Sequence, residues 1–137
     1  MPPLTRWFVK SALLYLLAAL LLAVAMQWPG AAARASWLAV IWPTYLHLLV
    51  VGWLTQLIFG VALWLFPRHS AARPRGYEWL GWTSFALLNA GLLIRVVAEP
   101  GAALGHHGGL LLPCSAAAQL LAAVAFVVNI WPRVRER

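Results

Sequence analysis

The chain has 137 residues, of which 64% are hydrophobic and only 9% are charged. A soluble domain carries about 25% charged residues, and one this small has too little interior to hide long apolar blocks. These values exclude a soluble enzyme, a disordered tail and a nucleic-acid-binding module. They predict an all-α integral membrane protein that lies in a lipid bilayer.

Four segments have the roughly 17–25 mostly apolar residues that a membrane-spanning helix needs. They predict a single transmembrane domain over residues 1–137, with helices at about 7–28, 44–66, 79–98 and 110–131. The first segment has a basic start like that of a secretory signal, but its apolar run is too long for one. Tryptophans near the segment ends are typical of an interfacial belt. The predicted fold is a four-transmembrane-helix bundle.

The positions of the cations predict the topology. Eight of the ten Lys and Arg residues lie at the start of the first segment, between the second and third, or after the fourth; the other two are Arg34 and Arg95. Cytoplasmic loops carry an excess of cations, so we expect both termini to be cytoplasmic, in the inner (cytoplasmic) membrane of the cell. The net charge of +7 then reflects orientation and contact with anionic lipid, and it needs no nucleic acid.

Polar residues in the second segment are the first candidates for function, since polar groups within a membrane are costly. His47 is predicted to lie one turn inside the outer end of this helix, where a neutral imidazole can ligate iron, copper or zinc. The alternative is a histidine that is hydrogen-bonded to a neighbouring helix. Gly52, Gln56 and Gly60 recur every four residues, which predicts close helix packing with Gln56 bonded across it. The opposite face is expected to meet a cofactor or another subunit, and it carries Thr44, His47, Val51, Leu54 and Ile58.

The third segment carries Arg95 and Glu99 near its outer end. They are four residues apart and can form an ion pair, or Arg95 can simply snorkel to the membrane surface. In a heme protein, a guanidinium at this position would also suit the carboxylate of a propionate. The three interpretations of Arg95 stay open at this point. Asn89 in this segment, like two polar residues in the fourth (Gln119 and Asn129), is expected to hydrogen-bond between helices.

The outer loop contains His106 and His107, with Cys114 seven residues beyond. Such a group can bind a soft metal, but its spacing matches no established signature, so we expect an exposed, solvated pair. The sequence has no paired carboxylates, no Ser/His/Asp set and no phosphate-binding loop. It therefore predicts no catalytic residues for acid–base hydrolysis.

Five stretches resemble the catalytic subunit (subunit I) of heme-copper oxidases, and most closely the small four-helix membrane proteins related to it. Three are in the second helix: YLHLLVVGWL (45–54), IFGVA (58–62) and FPR (66–68). LNAGL (88–92) is similar to the third helix, and QLLAAVAFVVNIW (119–131) to the fourth. The resemblance covers about two-thirds of the chain, from Thr44 to Trp131.

The resemblance implies heme b as a cofactor, with His47 as the axial ligand near the outer face and Arg95 beside the pocket. The family pattern often has further histidines where this chain has Tyr45 and Trp64. The copper ligands and the tyrosine of the oxidases belong to later helices, which this chain lacks. We therefore expect no oxygen reduction by this chain alone, and a role in electron transfer or in gas or redox sensing.

Each chain offers one intramembrane histidine, whereas a six-coordinate heme needs two axial ligands. A homo-oligomer would supply the second, with two His47 side chains on one heme in a dimer, or in a trimer, as the resemblance also permits. The alternatives are a monomer with five-coordinate heme and a relative that has lost the heme. A different class of function also stays open: a cofactor-free accessory subunit that packs beside respiratory-chain subunits.

Overall fold

The computed structural model describes residues 1–28, 35–67, 76–105 and 109–134. These contain four long helices: α1 at Pro3–Gln27, α2 at 35–65, α3 at Glu78–Ala103 and α4 at Leu111–Ile130, which a short 3₁₀ turn (Trp131–Arg133) follows. All four are long and apolar enough to cross a membrane, which confirms the all-helical four-helix fold class. The helices alternate in direction. We call the end near residues 3, 65, 78 and 133 the terminal end, and the other the distal end.

Helix α2 begins nine residues before the predicted start, because Pro43 lies inside the helix and does not end it. A proline lacks the backbone donor of one helical bond, but membrane helices tolerate this since the surrounding structure satisfies the freed carbonyl. Helix α3 likewise continues past Pro100 to Ala103. The predicted second helix starts directly after Pro43, and the predicted third helix ends at about residue 98, five residues before Ala103.

The central part of α2 is π-helical. The α-helical part Ala35–His47 is followed directly by the π-helical part Leu48–Thr55 and then by the α-helical part Gln56–Leu65. Within the π-helical part, the Thr55 hydroxyl donates to the Val50 carbonyl over 2.9 Å. A π-helix is rare and occurs frequently at functional sites, and this one starts immediately after His47.

The glycine stripe of α2 packs against α1, as predicted. A Cβ atom at Gly52 would lie 2.8 Å from Cγ of Tyr15, and one at Gly60 would lie 2.8 Å from Cβ of Phe8. Only hydrogen fits at these positions, so the two backbones approach closely. Gln56 is completely buried between the glycines, but its amide has no hydrogen-bond partner among the described residues. The expected bond from Gln56 across the packing contact is therefore wrong.

Helices α3 and α4 form a second tightly packed pair. A Cβ atom at Gly91 would lie 3.0 Å from the Ser115 carbonyl, and the buried Ser84 hydroxyl donates to the Ala122 carbonyl over 2.9 Å. An apolar cluster joins all four helices towards the terminal end, and it contains Phe8, Leu63, Leu88, Ala122, Phe126 and Ile130. Its outer layer includes Phe59, whose ring stacks on Phe126 with centroids 3.7 Å apart.

Candidate functional site

Six polar side chains from three helices meet towards the distal end, where they form a continuous set of contacts that we call the polar network. Helix α2 contributes two of them, α3 two and α4 two. Polar side chains inside a membrane protein are costly to place and usually mark a functional region or a link between helices. The members are Thr44, His47, Arg95, Glu99, Ser115 and Gln119.

His47 is held through one ring nitrogen. Its Nδ1 atom lies 2.9 Å from Oε1 of Glu99 and 2.9 Å from the Pro43 carbonyl oxygen one turn earlier. Both neighbours are hydrogen-bond acceptors, so the proton of a neutral imidazole belongs on Nδ1. Nε2 then keeps its lone pair and makes no hydrogen bond to the described residues. The side chain is 29% exposed, so the ring is reachable from the surface of the bundle.

Glu99 is the centre of the network. Its Oε2 atom accepts a hydrogen bond of 3.1 Å from the Thr44 hydroxyl, and its Oε1 atom accepts one of 3.1 Å from Nη1 of Arg95. The Glu99 side chain is 9% exposed and that of Arg95 is 16% exposed. This ion pair is the i,i+4 pairing predicted as one alternative for Arg95. Arg95 therefore balances the charge of the Glu99 carboxylate inside the bundle.

Ser115 extends the network to α4. Its hydroxyl donates to the Gly91 carbonyl over 2.7 Å, and it accepts from Nε of Arg95 over 3.1 Å and from Nε2 of Gln119 over 3.3 Å. One donor and two acceptor positions are the full capacity of a hydroxyl, so Ser115 is completely satisfied. Gln119 therefore bonds within its own helix, not between helices as predicted.

The other two predicted amides do bond between elements. The Asn89 Oδ1 atom accepts a hydrogen bond of 3.0 Å from the Tyr15 hydroxyl of α1. The Asn129 Oδ1 atom accepts one of 2.9 Å from the backbone N–H of Tyr77, just before α3. Asn89 and Asn129 thus tie α1 to α3 and the start of α3 to α4.

The position of His47 differs from the prediction. It lies 12 residues after Ala35 and so about three turns into α2, at 3.6 residues per turn, instead of one turn from the helix end. The face of α2 that was predicted to be free is partly buried and partly exposed. Thr44 is buried on Glu99 and Val51 packs against the apolar clusters, whereas Leu54 and Ile58 are exposed. Only part of this face is open to another molecule.

The donor set of the network fits one kind of iron site. Metal-ligating histidines commonly donate their second ring N–H to a carboxylate or a backbone carbonyl, which fixes the ring and the tautomer; His47 has both kinds of acceptor at Nδ1. Among the described residues no group of three His, Cys, Asp or Glu side chains could hold a bare metal ion. A porphyrin brings its own four nitrogen ligands and needs only axial ones, so a single histidine is compatible with heme.

One nitrogen of the Arg95 guanidinium has no hydrogen-bond partner among the described residues. Nη1 and Nε bond to Glu99 and Ser115, while Nη2 makes no hydrogen bond to the described residues. A planar guanidinium suits a carboxylate, so Nη2 can contact a propionate without breaking the ion pair. The other residues that the sequence analysis named as possible metal ligands are His106, His107 and Cys114. His106 and His107 lie outside the described residues, and Cys114 is exposed in the first turn of α4.

Sequence reasoning missed that Glu99 holds His47. A signal for this contact was present, because Glu99 is the one acid expected near the outer end of the third helix, and the predicted topology puts His47 at the same end. The participation of Thr44 and Ser115 had no comparable signal, since hydroxyls within membrane helices commonly bond to their own backbone. No family model matches the sequence, and comparison with curated proteins and with solved structures finds no significant similarity.

Proposed function

We propose that this four-helix membrane protein binds heme b through His47 and serves electron transfer or the sensing of a gas or of redox state. One observation carries the proposal: Nδ1 of an intramembrane histidine is held by Glu99 and the Pro43 carbonyl, which leaves Nε2 free on a partly exposed ring. The proposed orientation has both termini in the cytoplasm and the distal end at the outer face of the cytoplasmic membrane, from the distribution of cations.

His47 and Arg95 have separate roles in this proposal. His47 Nε2 would hold the iron, and the hydrogen bond from Nδ1 to Glu99 fixes the orientation and the tautomer of the ring. Arg95 Nη2 would contact a propionate. A bound heme would supply an iron that alternates between ferrous and ferric states or takes a diatomic ligand. The apolar side chains around the network would exclude water from it.

The second axial ligand of a six-coordinate heme would have to come from another chain. His47 is the one histidine among the described residues, and its side chain is 29% exposed, which permits a second chain to approach it. We propose a homo-oligomer in which two His47 residues share one heme, a dimer being the simplest closed assembly and a trimer the larger alternative. A five-coordinate heme in a monomer is the remaining arrangement compatible with one ligand for each chain.

One observation favours a second candidate function, that of a cofactor-free accessory subunit beside a larger respiratory complex. The polar network satisfies most of its own hydrogen bonds: Ser115 uses its full capacity, and Glu99 is paired on both oxygens. Interhelical hydrogen bonds of this kind stabilise membrane bundles without any ligand. In that case His47 serves only to connect α2 with α3.

An absorption spectrum separates the two candidates. Protein purified in mild detergent from heme-replete cells should show a Soret band that shifts on reduction and a sharp alpha band. Mass measurement and heme analysis on the same sample should give one heme for two chains in the shared-histidine dimer. A colourless preparation would contradict the heme proposal and favour the accessory subunit. A fully loaded, six-coordinate monomer would contradict the shared ligand but not the heme.

A further inference from the structure

A groove of about 150 Å³ lies at the surface of α1, at the terminal end of the bundle. Four residues from the first two turns of α1 line it: Pro3, Arg6, Trp7 and Lys10. The volume is several times what one water molecule needs, so the groove has room for a larger polar group. It belongs to none of the contacts described above, because the polar network lies towards the distal end.

Two cations line this groove, and neither side chain has a partner in the part of the chain that the structure describes. Arg6 and Lys10 are both exposed, and their charged groups form no hydrogen bond or ion pair with described residues. The other two described Lys and Arg residues are bound inside the protein: Arg95 pairs with Glu99, and Arg133 donates to three backbone carbonyls. Arg6 and Lys10 are therefore the described cations that are available to an external anion.

The geometry of the helix directs both cations towards the membrane surface. Arg6 and Lys10 are four residues apart, so they lie on adjacent turns of the same face. Side chains of an α-helix lean towards its N-terminus, which for α1 is the terminal end. Lys10 lies about two turns inside α1, and a lysine at such a position extends its alkyl stem along the apolar surface to keep the ammonium group in water. The two positive charges are thus directed towards the same headgroup layer.

Trp7 gives the groove an apolar side next to the two cations. Its ring packs near Phe85 of α3, with ring centroids 6.4 Å apart, and Trp7 is 56% exposed. Tryptophan is enriched at the headgroup level of membranes, because its ring is apolar and its indole N–H donates a hydrogen bond. The groove therefore combines positive charge with an apolar surface, and an amphiphile with an anionic headgroup matches both.

The position of the groove along α1 matches the depth of lipid phosphates. A helix of 25 residues is about 37 Å long at 1.5 Å per residue, longer than the roughly 30 Å hydrocarbon core of a bilayer. The first turn of α1, which contains Arg6, therefore reaches the headgroup layer. Among the described residues no carboxylate lines the groove, so a phosphate meets only positive charge there.

We propose that this groove binds an anionic phospholipid, with its phosphodiester between the Arg6 guanidinium and the Lys10 ammonium group and its glycerol region against Trp7. A zwitterionic headgroup would bring its own ammonium group close to the two cations, so the groove prefers a headgroup without one. In the proposed orientation the terminal end faces the cytoplasm, where the membrane surface is negatively charged. The site contains no residue of the polar network, so it holds or fails separately from the proposed heme.

Native mass spectrometry of the full chain in nanodiscs tests the proposal. With equal amounts of phosphatidylglycerol and phosphatidylcholine, the wild-type protein should retain phosphatidylglycerol preferentially. Arg6→Gln and Lys10→Gln should each weaken this retention about fivefold, as expected for one cation at an anionic membrane surface. Arg6→Lys keeps the charge and should preserve most of it. Arg137→Gln removes the same charge at the C-terminus; it is the matched control and should retain the lipid as the wild-type protein does.

Equal retention of the two lipids by the wild-type protein would overturn the proposal without any variant. Equal losses in Arg6→Gln and Arg137→Gln would also overturn it, because they would show a response to net charge and not to this groove. A separate measurement with inorganic phosphate distinguishes the lipid from a free anion. Millimolar phosphate should leave phosphatidylglycerol bound, and its displacement would assign the groove to a soluble anion instead.

Discussion

The Nδ1 atom of His47 lies 2.9 Å from Oε1 of Glu99, and this contact joins α2 to α3 inside the membrane-spanning region. Two further side chains bind the same carboxylate. Arg95 neutralises the same carboxylate, and Thr44 occupies its other oxygen. The histidine is therefore fixed through one nitrogen by a carboxylate whose charge is already balanced. These contacts hold the polar side chains in fixed positions within an otherwise apolar bundle, whether or not a metal is bound.

Replacing Glu99 tests how much this contact stabilises the bundle. Glu99→Gln keeps the shape and an acceptor oxygen, but removes the charge that balances Arg95. Breaking one partner of a mostly buried pair costs about 3 kcal/mol, so the free energy of unfolding in detergent should fall by about that amount. A Glu99→Gln protein as stable as the wild-type protein would contradict a central position for Glu99.

The glycine stripe gives a prediction with an internal control. Gly52→Ala places a methyl group within 2.9 Å of both Tyr15 and Leu92, and overpacking of this kind costs about 1–3 kcal/mol. Gly101 is helical in α3, and a Cβ there meets nothing within 4 Å. Gly101→Ala should therefore be neutral or stabilise the protein by up to about 1 kcal/mol. Thermal unfolding of both variants in the same detergent is the measurement. A Gly52→Ala protein as stable as Gly101→Ala would show that α1 and α2 pack less closely.

The orientation prediction rests on cations alone and is tested by reporter fusions. A phosphatase that is active only after export should be inactive when it is fused behind the C-terminus, because eight of the ten Lys and Arg residues mark the terminal end as cytoplasmic. The same reporter inserted in the 106–108 region should be active. The reverse pattern would place the polar network on the cytoplasmic side.

Much of the fold could be predicted because it depends on residue type and spacing alone. Four apolar segments gave four helices, and Gly52 and Gly60 gave the packing face of α2. The helix ends were less predictable: the predicted second helix starts directly after Pro43 and the predicted third helix ends before Pro100, whereas both helices continue through these prolines. A membrane bundle satisfies the carbonyl that a proline frees, so a proline is a weaker stop signal here than in a soluble helix.

The candidate site was predictable only in part, because its contacts depend on the rotation of one helix relative to another. Arg95 and Glu99 lie on one helix, and their spacing alone gave the ion pair. His47 and Glu99 lie on different helices, and the π-helical part Leu48–Thr55 changes the angle between His47 and Gln56 in a way that a regular 100° step does not describe. The burial of Gln56 could be predicted from the glycine stripe. The absence of a hydrogen-bond partner for its amide could not, because it also depends on the rotation of α2 relative to its neighbours.

The central claim is that His47 ligates heme iron, and the reduced-minus-oxidised absorption spectrum of matched variants tests it most directly. Wild-type protein should show a reducible Soret band and a sharp alpha band. His47→Ala should abolish or shift both bands while far-ultraviolet circular dichroism stays helical, because the axial ligand is lost and the bundle is not. His106→Ala and His107→Ala, the matched histidine controls, should leave the bands in place. Unchanged bands in His47→Ala, or no bands in the wild-type protein, would contradict the account.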